Sequence, residues 1–424
     1  MLHEKRLLFL LAAVQFCHII DFMIIMPLGK TIMAEFAISP GQFAWVVSAY
    51  AGAALTGNLI STAFIDRFDR RSALLFLFCG FTVGTLACAF APTYLTLLLF
   101  RSATGIFGGT LGALVLAIVG DVIPLARRGA AMGWVMTAFS AASIVGVPSG
   151  IWIAAEYGWH APFIVTAAIS AGFVTLAYFV VPSLKGHLAG TREQVKGQGA
   201  LVAALDEVPL PPGRQALVQP SGPRKVIDPF AKIFADRNQR AALLFTMALM
   251  LGHFTIIPFI APYMQLNIGF EDKQVSLIYF IGGLLTVVLL PFFGKLSDRY
   301  GRMRIFATAS AFALVSIYAL TNLDTDSIYV ALLTTSSFFV VASGRSVPAT
   351  TMITSVVRPE NRGGFMSIRQ SVNEMALFGS TLIAGFVITE APDGSLEHYE
   401  WLGYFTMVMS VVAVWAASRV RAVA

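Results

Sequence analysis

Two acidic and two basic side chains, Asp21, Glu374, Arg101 and Arg345, interrupt long apolar stretches of this chain. A charge at such a position costs about 2.5–3.5 kcal/mol on membrane-insertion scales, so these residues indicate function. Asp21 lies about eight residues, and Arg101 about six, from the ends of their stretches that face the same side of the membrane. At a rise of about 1.5 Å per residue, their depths differ by only a few ångströms, so the two side chains could pair. A carboxylate beside an arginine stays ionised until the arginine is drawn away, and it can then take up a proton. The pattern therefore predicts proton-coupling chemistry for both residues. The alternative is a static structural ion pair.

A second pair of buried charges is predicted in the second half. Arg345 and Glu374 lie at about equal depth, roughly ten helical residues from the ends of their own stretches. We expect them to pair and to serve substrate binding or a gate, with Glu374 also taking part in proton coupling. Asn373 and Arg369 form a polar stripe on the same helix, where Asn373 is expected to line a cavity and Arg369 to reach the interface.

Two histidines are candidates for the wall of a cavity. His253 occupies the position 232 residues after Asp21. At this offset the string Asp-Phe-Met-Ile-Ile-Met-Pro from 21 aligns with His-Phe-Thr-Ile-Ile-Pro from 253. Imidazole is the side chain that titrates nearest to neutral pH. A hydrogen-bonded core histidine is the alternative for His253. His18, three residues before Asp21, lies on the same helical face.

Soft ligands near these histidines raise the alternative of a copper substrate. Met247 and Met250 precede His253 at intervals of three residues, and Cys17 precedes His18. Methionine is common in apolar cores, so we favour packing and expect no metal site and no cofactor. The sequence has no phosphate-binding loop, which argues against ATP-driven chemistry and against an enzyme.

The elements that position these residues are membrane-spanning helices. The chain has 424 residues, of which 57% are hydrophobic and 12% charged, and charged residues are about twice as frequent in soluble domains. A helix needs roughly 20 apolar residues to cross a bilayer, and twelve stretches qualify. They are residues 7–29, 42–65, 72–92, 95–120, 129–155, 161–183, 241–265, 274–297, 303–321, 328–355, 364–389 and 401–418. The predicted fold class is an all-α integral membrane protein with twelve transmembrane helices.

An internal repeat divides these spans into two halves. The string Asp-Arg-Phe-Asp-Arg-Arg at 66–71 returns as Asp-Arg-Tyr-Gly-Arg-Met at 298–303, each time between two spans. We predict two pseudo-symmetric six-helix bundles, residues 1–183 and 241–424, joined by a polar linker at 184–240 whose end, 228–235, forms an amphipathic helix.

The distribution of basic residues predicts the orientation. If the N-terminus is inside, all but five of the 29 Lys and Arg residues lie in inner segments or the linker. This positive-inside pattern places both termini in the cytoplasm of a plasma (inner) membrane protein, and it explains the basic character without nucleic acid.

The repeated loops carry a resemblance to a known family. The string Gly-Lys-Leu-Ser-Asp-Arg-Tyr-Gly-Arg at 294–302 resembles the loop signature of the major facilitator superfamily, and the resemblance extends over nearly the whole chain. It implies the major facilitator fold, a central cavity opened alternately to each side, and a conformational latch in these loops. The latch residues so implied are Asp66, Arg67, Arg70, Gly294, Asp298, Arg299, Gly301 and Arg302.

Two further segments are similar to the twelve-span drug:proton antiporters of that superfamily. Arg101-Ser-Ala-Thr-Gly105 resembles a buried-arginine motif, and Gly146-Val-Pro148-Ser-Gly150 resembles part of a helix-kink motif. The resemblance implies proton-coupled efflux of a small amphipathic organic compound by a monomer in the lipid bilayer. Importing facilitators or symporters on the same scaffold, and a sensor that has lost transport, are the alternatives. For the glycines, a packing role is as well supported as a coupling role.

Overall fold

The computed structural model describes residues 2–64, 68–184, 233–357 and 362–421. It is an all-α membrane fold of two six-helix halves. In the first half the spans are Leu2–Ile24, Pro40–Phe64, Arg70–Ala89, Tyr94–Val122, Leu125–Tyr157 and His160–Val180. In the second half they are Arg237–Leu266, Asp272–Tyr300, Arg302–Thr321, Ile328–Thr354, Arg362–Val387 and Tyr399–Ser418.

Two spans are interrupted. Span five consists of Leu125–Ala141, a π-helical turn at Ala142–Gly146 and a final segment Val147–Tyr157. Span seven is divided into Arg237–Phe254 and Ile257–Leu266, with Pro258 in the first turn of the second segment. Proline cannot donate the helical hydrogen bond, and its ring displaces the preceding carbonyl, which accounts for the break.

Eleven of these helices are long and apolar enough to cross a membrane within the described part of the chain. The remaining helix, Arg362–Val387, is span eleven. It carries Arg369, Asn373 and Glu374 in its middle, which lowers its mean hydropathy. Its polarity reflects the residues that the sequence singled out as functional.

The strict alternation of spans places both ends of the chain on one face. We call this the terminal face; it includes the loop around Asp298–Arg302. The opposite, distal face carries a short helix, Gly29–Phe36, and a two-residue antiparallel hairpin, Thr389–Glu390 with Leu396–Glu397, which the sequence did not predict. The predicted linker and most of its amphipathic helix lie outside the described residues, as do Asp66 and Arg67.

Glycines permit the closest helix contacts within the first half. A Cβ atom on Gly105 of span four would lie 2.3 Å from the backbone oxygen of Tyr50, and one on Gly109 would lie 2.7 Å from Cα of Ala54. Spans two and four therefore meet backbone to backbone, which small residues allow in membrane helices.

The contacts between the two halves concentrate toward the distal face. Gly41 of span two lies against the backbone of Gly385 of span eleven, and the Phe43 and Phe259 rings are 5.9 Å apart. The Ser276 hydroxyl of span eight donates to the Pro148 carbonyl of span five at 2.9 Å. One apolar core joins both halves here, whereas toward the terminal face each half has a separate core. The bundle is thus closed at the distal face.

The glycine contact yields a test of this packing. We expect Gly105→Ala to lower the melting temperature of the detergent-purified protein, because the added methyl group meets the Tyr50 backbone, and overpacking costs about 1–3 kcal/mol. Gly120 of the same span has open space at its Cβ position. Gly120→Ala should leave stability unchanged or raise it by up to about 1 kcal/mol through helix propensity. Equal melting temperatures for the two variants would contradict the packing described here.

Candidate functional site

Asp21 and Arg101 form an ion pair in the middle of the first half. Arg101 Nη1 lies 2.8 Å from Asp21 Oδ2, and both side chains have no exposed surface. The same nitrogen donates to the Asp21 carbonyl at 3.2 Å. The Thr85 hydroxyl of span three donates to Asp21 Oδ1 at 3.0 Å. The carboxylate thus receives donors from spans three and four, as a buried charge requires.

Tyr50 of span two covers the arginine of this pair. Arg101 Cζ lies 4.7 Å from the centroid of the Tyr50 ring, a distance at which the ring attracts the cation. The Tyr50 hydroxyl is buried without a hydrogen-bond partner. The approach of span two at Gly105, one turn after Arg101, brings the ring to this position. The cluster therefore depends on four spans of one half.

Aromatic and charged groups connect this cluster to the second half. Phe22, next to Asp21, packs with Tyr50 at 5.5 Å between ring centroids and with Phe254 of span seven at 6.3 Å. The Glu374 carboxylate of span eleven lies within Coulombic range of the Tyr50 hydroxyl. Glu374 is half-buried and accepts a hydrogen bond at 2.7 Å from Gln370, whose side chain is exposed. Span eleven thus carries polar groups from the surface to the cluster.

The predicted pair of Arg345 and Glu374 is absent among the described ion pairs, so this expectation was wrong. Arg345 donates instead from Nη1 to the Ser410 hydroxyl of span twelve at 2.9 Å, and its side chain is 1% exposed. Glu374 has Gln370 as its partner. Equal depth in the bundle did not bring the two side chains together because they project from spans ten and eleven in different directions.

The two histidines lie in separate clusters. His18 packs between Tyr50 and Phe81, with ring centroids 6.1 and 6.4 Å away, and has Nδ1 without a hydrogen-bond partner. His253 stacks on Phe338 of span ten at 6.1 Å and also has an unpartnered Nδ1. His253 lies within electrostatic range of Arg345. The structure therefore places His18 beside the Asp21 cluster and His253 beside Arg345. Asn373 is half-buried next to Glu374.

The first-half loop is tied to its own half. Arg70 pairs with Asp121 of span four at 2.9 Å. Asp69 caps the start of span three through the Arg71 amide and accepts hydrogen bonds at 2.8 Å from the Ser183 hydroxyl and the Leu184 amide. Asp69 thus holds the segment that follows span six against the start of span three.

The second-half loop has no such ties among the described contacts. Asp298, Arg299 and Arg302 are exposed, and span nine begins at Gly301 without a side-chain cap. At Gly294 the Cβ position has a Val347 methyl group at 4.0 Å, an ordinary contact distance, so the described helices do not approach closely there. Gly301 has φ of 95°, a conformation that favours glycine. Within the described part of the chain, Asp298, Arg299 and Arg302 make no hydrogen bond or ion pair to another span, and their side chains are exposed.

The glycines of the predicted kink motif pack against span one. A Cβ on Gly146 would lie 2.6 Å from Ile20 Cδ1, and one on Gly150 would lie 2.0 Å from Ile24 Cδ1. Ile20 and Ile24 flank Asp21 in sequence, so these glycines set the position of the helical turn that carries the carboxylate. A cleft of about 210 Å³, lined by apolar residues of spans one, five and six, lies beside them.

The described residues contain no group of three or more His, Cys, Asp or Glu side chains that could hold a metal ion. Met247 and Met250 pack instead against the apolar core of the second half, and Cys17 lies in that of the first. Their positions support the packing interpretation.

Several site residues were not predicted. Tyr50, Thr85 and Ser410 each contact a predicted charge directly. Hydroxyl groups are frequent in membrane helices, so nothing in the sequence distinguishes these three from residues such as Ser102 or Thr175, which bond to their own helix backbone.

A sequence profile described as Major Facilitator Superfamily matches residues 11–259 and 242–423, nearly the whole chain. The chain belongs to the major facilitator superfamily. It is therefore an integral multi-pass membrane protein. The first relative described below is itself named an MFS-type transporter.

Individual relatives are distant. The chain is 26% identical over 329 residues to the uncharacterized MFS-type transporter YhcA of Bacillus subtilis (strain 168), covering 70% of this chain and 60% of YhcA. It is 28% identical over 167 residues to Multidrug resistance protein 3 of the same organism, covering 39% of this chain and 32% of that one. The chain thus spans less than two thirds of the length of these relatives. The fold resembles the crystal structure of a D-xylose-proton symporter, with a TM-score of 0.75 and 15% identity over 99% of this chain and 98% of that one.

The buried ion pair leads to a prediction about stability. Asp21→Asn leaves the Arg101 cation without a counter-charge and should destabilise the protein by about 3–5 kcal/mol, because breaking a buried pair leaves an uncompensated charge. The double variant Asp21→Asn/Arg101→Gln should lose less than the sum of the two single variants. Thermal unfolding of the purified proteins measures both.

Asp121→Asn is the matched control, since Asp121 also accepts from an arginine, but its side chain is 36% exposed. A loss in Asp21→Asn no greater than that in Asp121→Asn, or additive losses in the double variant, would contradict a tightly coupled buried pair.

Proposed function

We propose that this chain is a secondary active transporter that exports a small amphipathic organic compound in exchange for protons, by alternating access. The observation that carries the proposal is the fully buried Asp21–Arg101 pair of the first half, next to Phe22, whose ring contacts Phe254 of the second half. In this proposal Asp21 carries the proton, Arg101 stabilises its charged form, and Glu374 takes part in coupling on span eleven. His18, His253, Arg345 and Asn373 contact the substrate.

Protonation of Asp21 would change the energetics of this cluster. A neutral carboxyl group no longer balances Arg101, and an uncompensated buried cation is costly, so the four spans around it have to rearrange or admit a counter-charge. Phe22 lies between this cluster and Phe254 of span seven. A shift of span one is therefore passed directly to the second half, which is the coupling that alternating access requires.

The distal closure defines which side the present conformation would face. The halves pack together at the distal face and have separate cores toward the terminal face. The positive-inside distribution supports a cytoplasmic terminal face and a plasma (inner) membrane location. In this assignment the conformation faces the cytoplasm, and the exposed loop at Asp298–Arg302 is an open latch that would close when the bundle faces outward.

The direction and coupling can be measured in energised inverted vesicles. We expect a compound that the protein exports to release protons from the vesicle lumen, reported by an acridine dye, and we expect Asp21→Asn to abolish that release. Ethidium, chloramphenicol and naphthalenesulfonate serve as cationic, neutral and anionic probes, with vesicles lacking the protein as the blank.

Glu35→Gln is the control variant, because Glu35 is an exposed carboxylate on the distal face. Its proton release should equal that of the unmodified protein. If coupled transport survives in Asp21→Asn, Asp21 is not part of the mechanism. If an added probe causes protons to enter the vesicle lumen and not to leave it, the protein is a symporter that acts as an importer.

The open terminal side predicts a pattern of thiol labelling. In a Cys79→Ser background, Gln370→Cys should react with a membrane-impermeant maleimide added at the terminal face, because Gln370 is exposed beside half-buried Glu374. Phe386→Cys is the matched control on the same span; Phe386 is 76% exposed, yet it lies in an apolar segment and should face lipid. Labelling of Phe386→Cys but not of Gln370→Cys would reverse the assignment of the aqueous side of span eleven.

A further inference from the structure

Arg345 is a buried cation without a carboxylate partner among the described residues. Its side chain is 1% exposed, and of its three nitrogens only Nη1 has a hydrogen-bond partner, the neutral Ser410 hydroxyl at 2.9 Å. Arg101 has two unpartnered nitrogens as well, but its charge is balanced by Asp21 at 2.8 Å. The two buried arginines therefore differ in counter-charge.

The described polar groups nearest to Arg345 are neutral side chains that can donate hydrogen bonds. Thr406 lies four residues before Ser410 on span twelve, on the same helical face, and its hydroxyl is fully buried without a partner. Gly252, which precedes His253, lies against Thr406 and Ser410. His253 follows Gly252 in sequence, and its Nδ1 has no hydrogen-bond partner among the described residues. Spans seven, ten and twelve thus carry one guanidinium, two hydroxyls and one ring nitrogen in the same region of the second half.

Among the residues that the structure describes, no carboxylate balances this set. Glu374, the acidic residue predicted to do so, bonds to Gln370 and lies within Coulombic range of Tyr50 of the other half. An isolated cation in a membrane bundle is expensive, and an acceptor-only group such as a carboxylate, phosphate or sulfonate would satisfy both the charge and the idle N–H groups.

We propose that Arg345, with Ser410 and Thr406, binds the anionic group of an organic acid, so that the compound transported carries a carboxylate, phosphate or sulfonate. The inference rests on the proposed transport function for its biological meaning. The binding site itself is defined by Arg345 and the buried hydroxyls of Ser410 and Thr406.

The test is ligand-induced stabilisation of the detergent-purified full chain. Benzoate, phenyl phosphate and benzenesulfonate are the anionic probes, and benzamide and benzyl alcohol are neutral compounds of similar shape. We expect at least one anionic probe to raise the melting temperature by several degrees, with neither neutral compound doing so. The shift should vanish in Arg345→Gln and persist, reduced, in Arg345→Lys, which keeps the charge but loses the planar fork.

Ser410→Ala and Thr406→Val provide variants that retain the buried arginine if Arg345→Gln fails to fold. Each should weaken the response to the effective probe by about ten- to a hundredfold in the concentration required, as the loss of one hydrogen bond to a charged group predicts. The proposal is overturned if no anionic probe stabilises the protein, if the neutral compounds do so equally, or if the response is unchanged in these variants.

These outcomes are independent of the test of proton coupling. If anions stabilise the protein and this effect is lost in Arg345→Gln, but no proton-coupled flux is found, the anion site is supported and the proposed function is wrong. Proton-coupled flux of ethidium or chloramphenicol that is unchanged in Ser410→Ala and Thr406→Val would retain the function and remove this site.

Discussion

The buried ion pair between Asp21 and Arg101 is the interaction around which the first half is arranged. Two charges removed from water are stable only with close geometry and further hydrogen bonds. Each neighbouring span supplies one part of that environment: span three gives the Thr85 hydroxyl, and span two gives the Tyr50 ring.

Glycines allow the neighbouring spans to come close enough for these contacts. Gly105 lets span two approach Arg101, and Gly146 and Gly150 let span five pack on either side of Asp21. The small residues of the sequence are thus part of the electrostatic design, since larger side chains would hold the helices apart.

The two halves share a fold but not a charge balance. The register of the internal repeat places His253 where the first half has Asp21, so the second half has an imidazole where the first has a carboxylate. Arg101 finds its counter-charge on span one, whereas Arg345 finds only the Ser410 hydroxyl on span twelve. Within the described residues, a symmetrical scaffold therefore holds one self-compensated cluster and one buried arginine without a counter-charge, which in our proposal takes an external acceptor. This division would let one half respond to protons while the other binds solute, with Phe22 and Phe254 in contact between them.

Hydropathy and the repeated loops were sufficient to predict the fold, because the bilayer imposes helix length and the repeat imposes the two halves.

Among the predicted pairs of site residues, one was confirmed and one was wrong. Sequence position gives the depth of a residue along a span, and depth alone correctly brought Asp21 to Arg101. The same argument failed for Arg345 and Glu374, because two side chains at one depth meet only if their helices also turn them toward each other, and that rotation is set by packing that the sequence does not display. Tyr50 and Thr85 were missed for a related reason: nothing but the tertiary contact distinguishes them from other polar residues in the spans.

The nature of the distal closure bears on how the bundle changes conformation. Its polar contacts are a hydrogen bond from Ser276 to the Pro148 carbonyl and a surface ion pair between Lys273 and Glu156, and exposed pairs of this kind contribute little. Most of the closure comes instead from apolar packing and from backbone contacts such as that between Gly41 and Gly385. Such contacts separate without leaving a charge unpaired.

The charged groups whose burial costs most free energy are Asp21, Arg101 and Arg345, which lie inside the bundle and not at the closed face. A proton or an anion arriving at the centre therefore changes the free energy by more than separation of the polar contacts at the closed face does, which is the condition under which a ligand, and not thermal opening alone, decides the side to which a transporter opens.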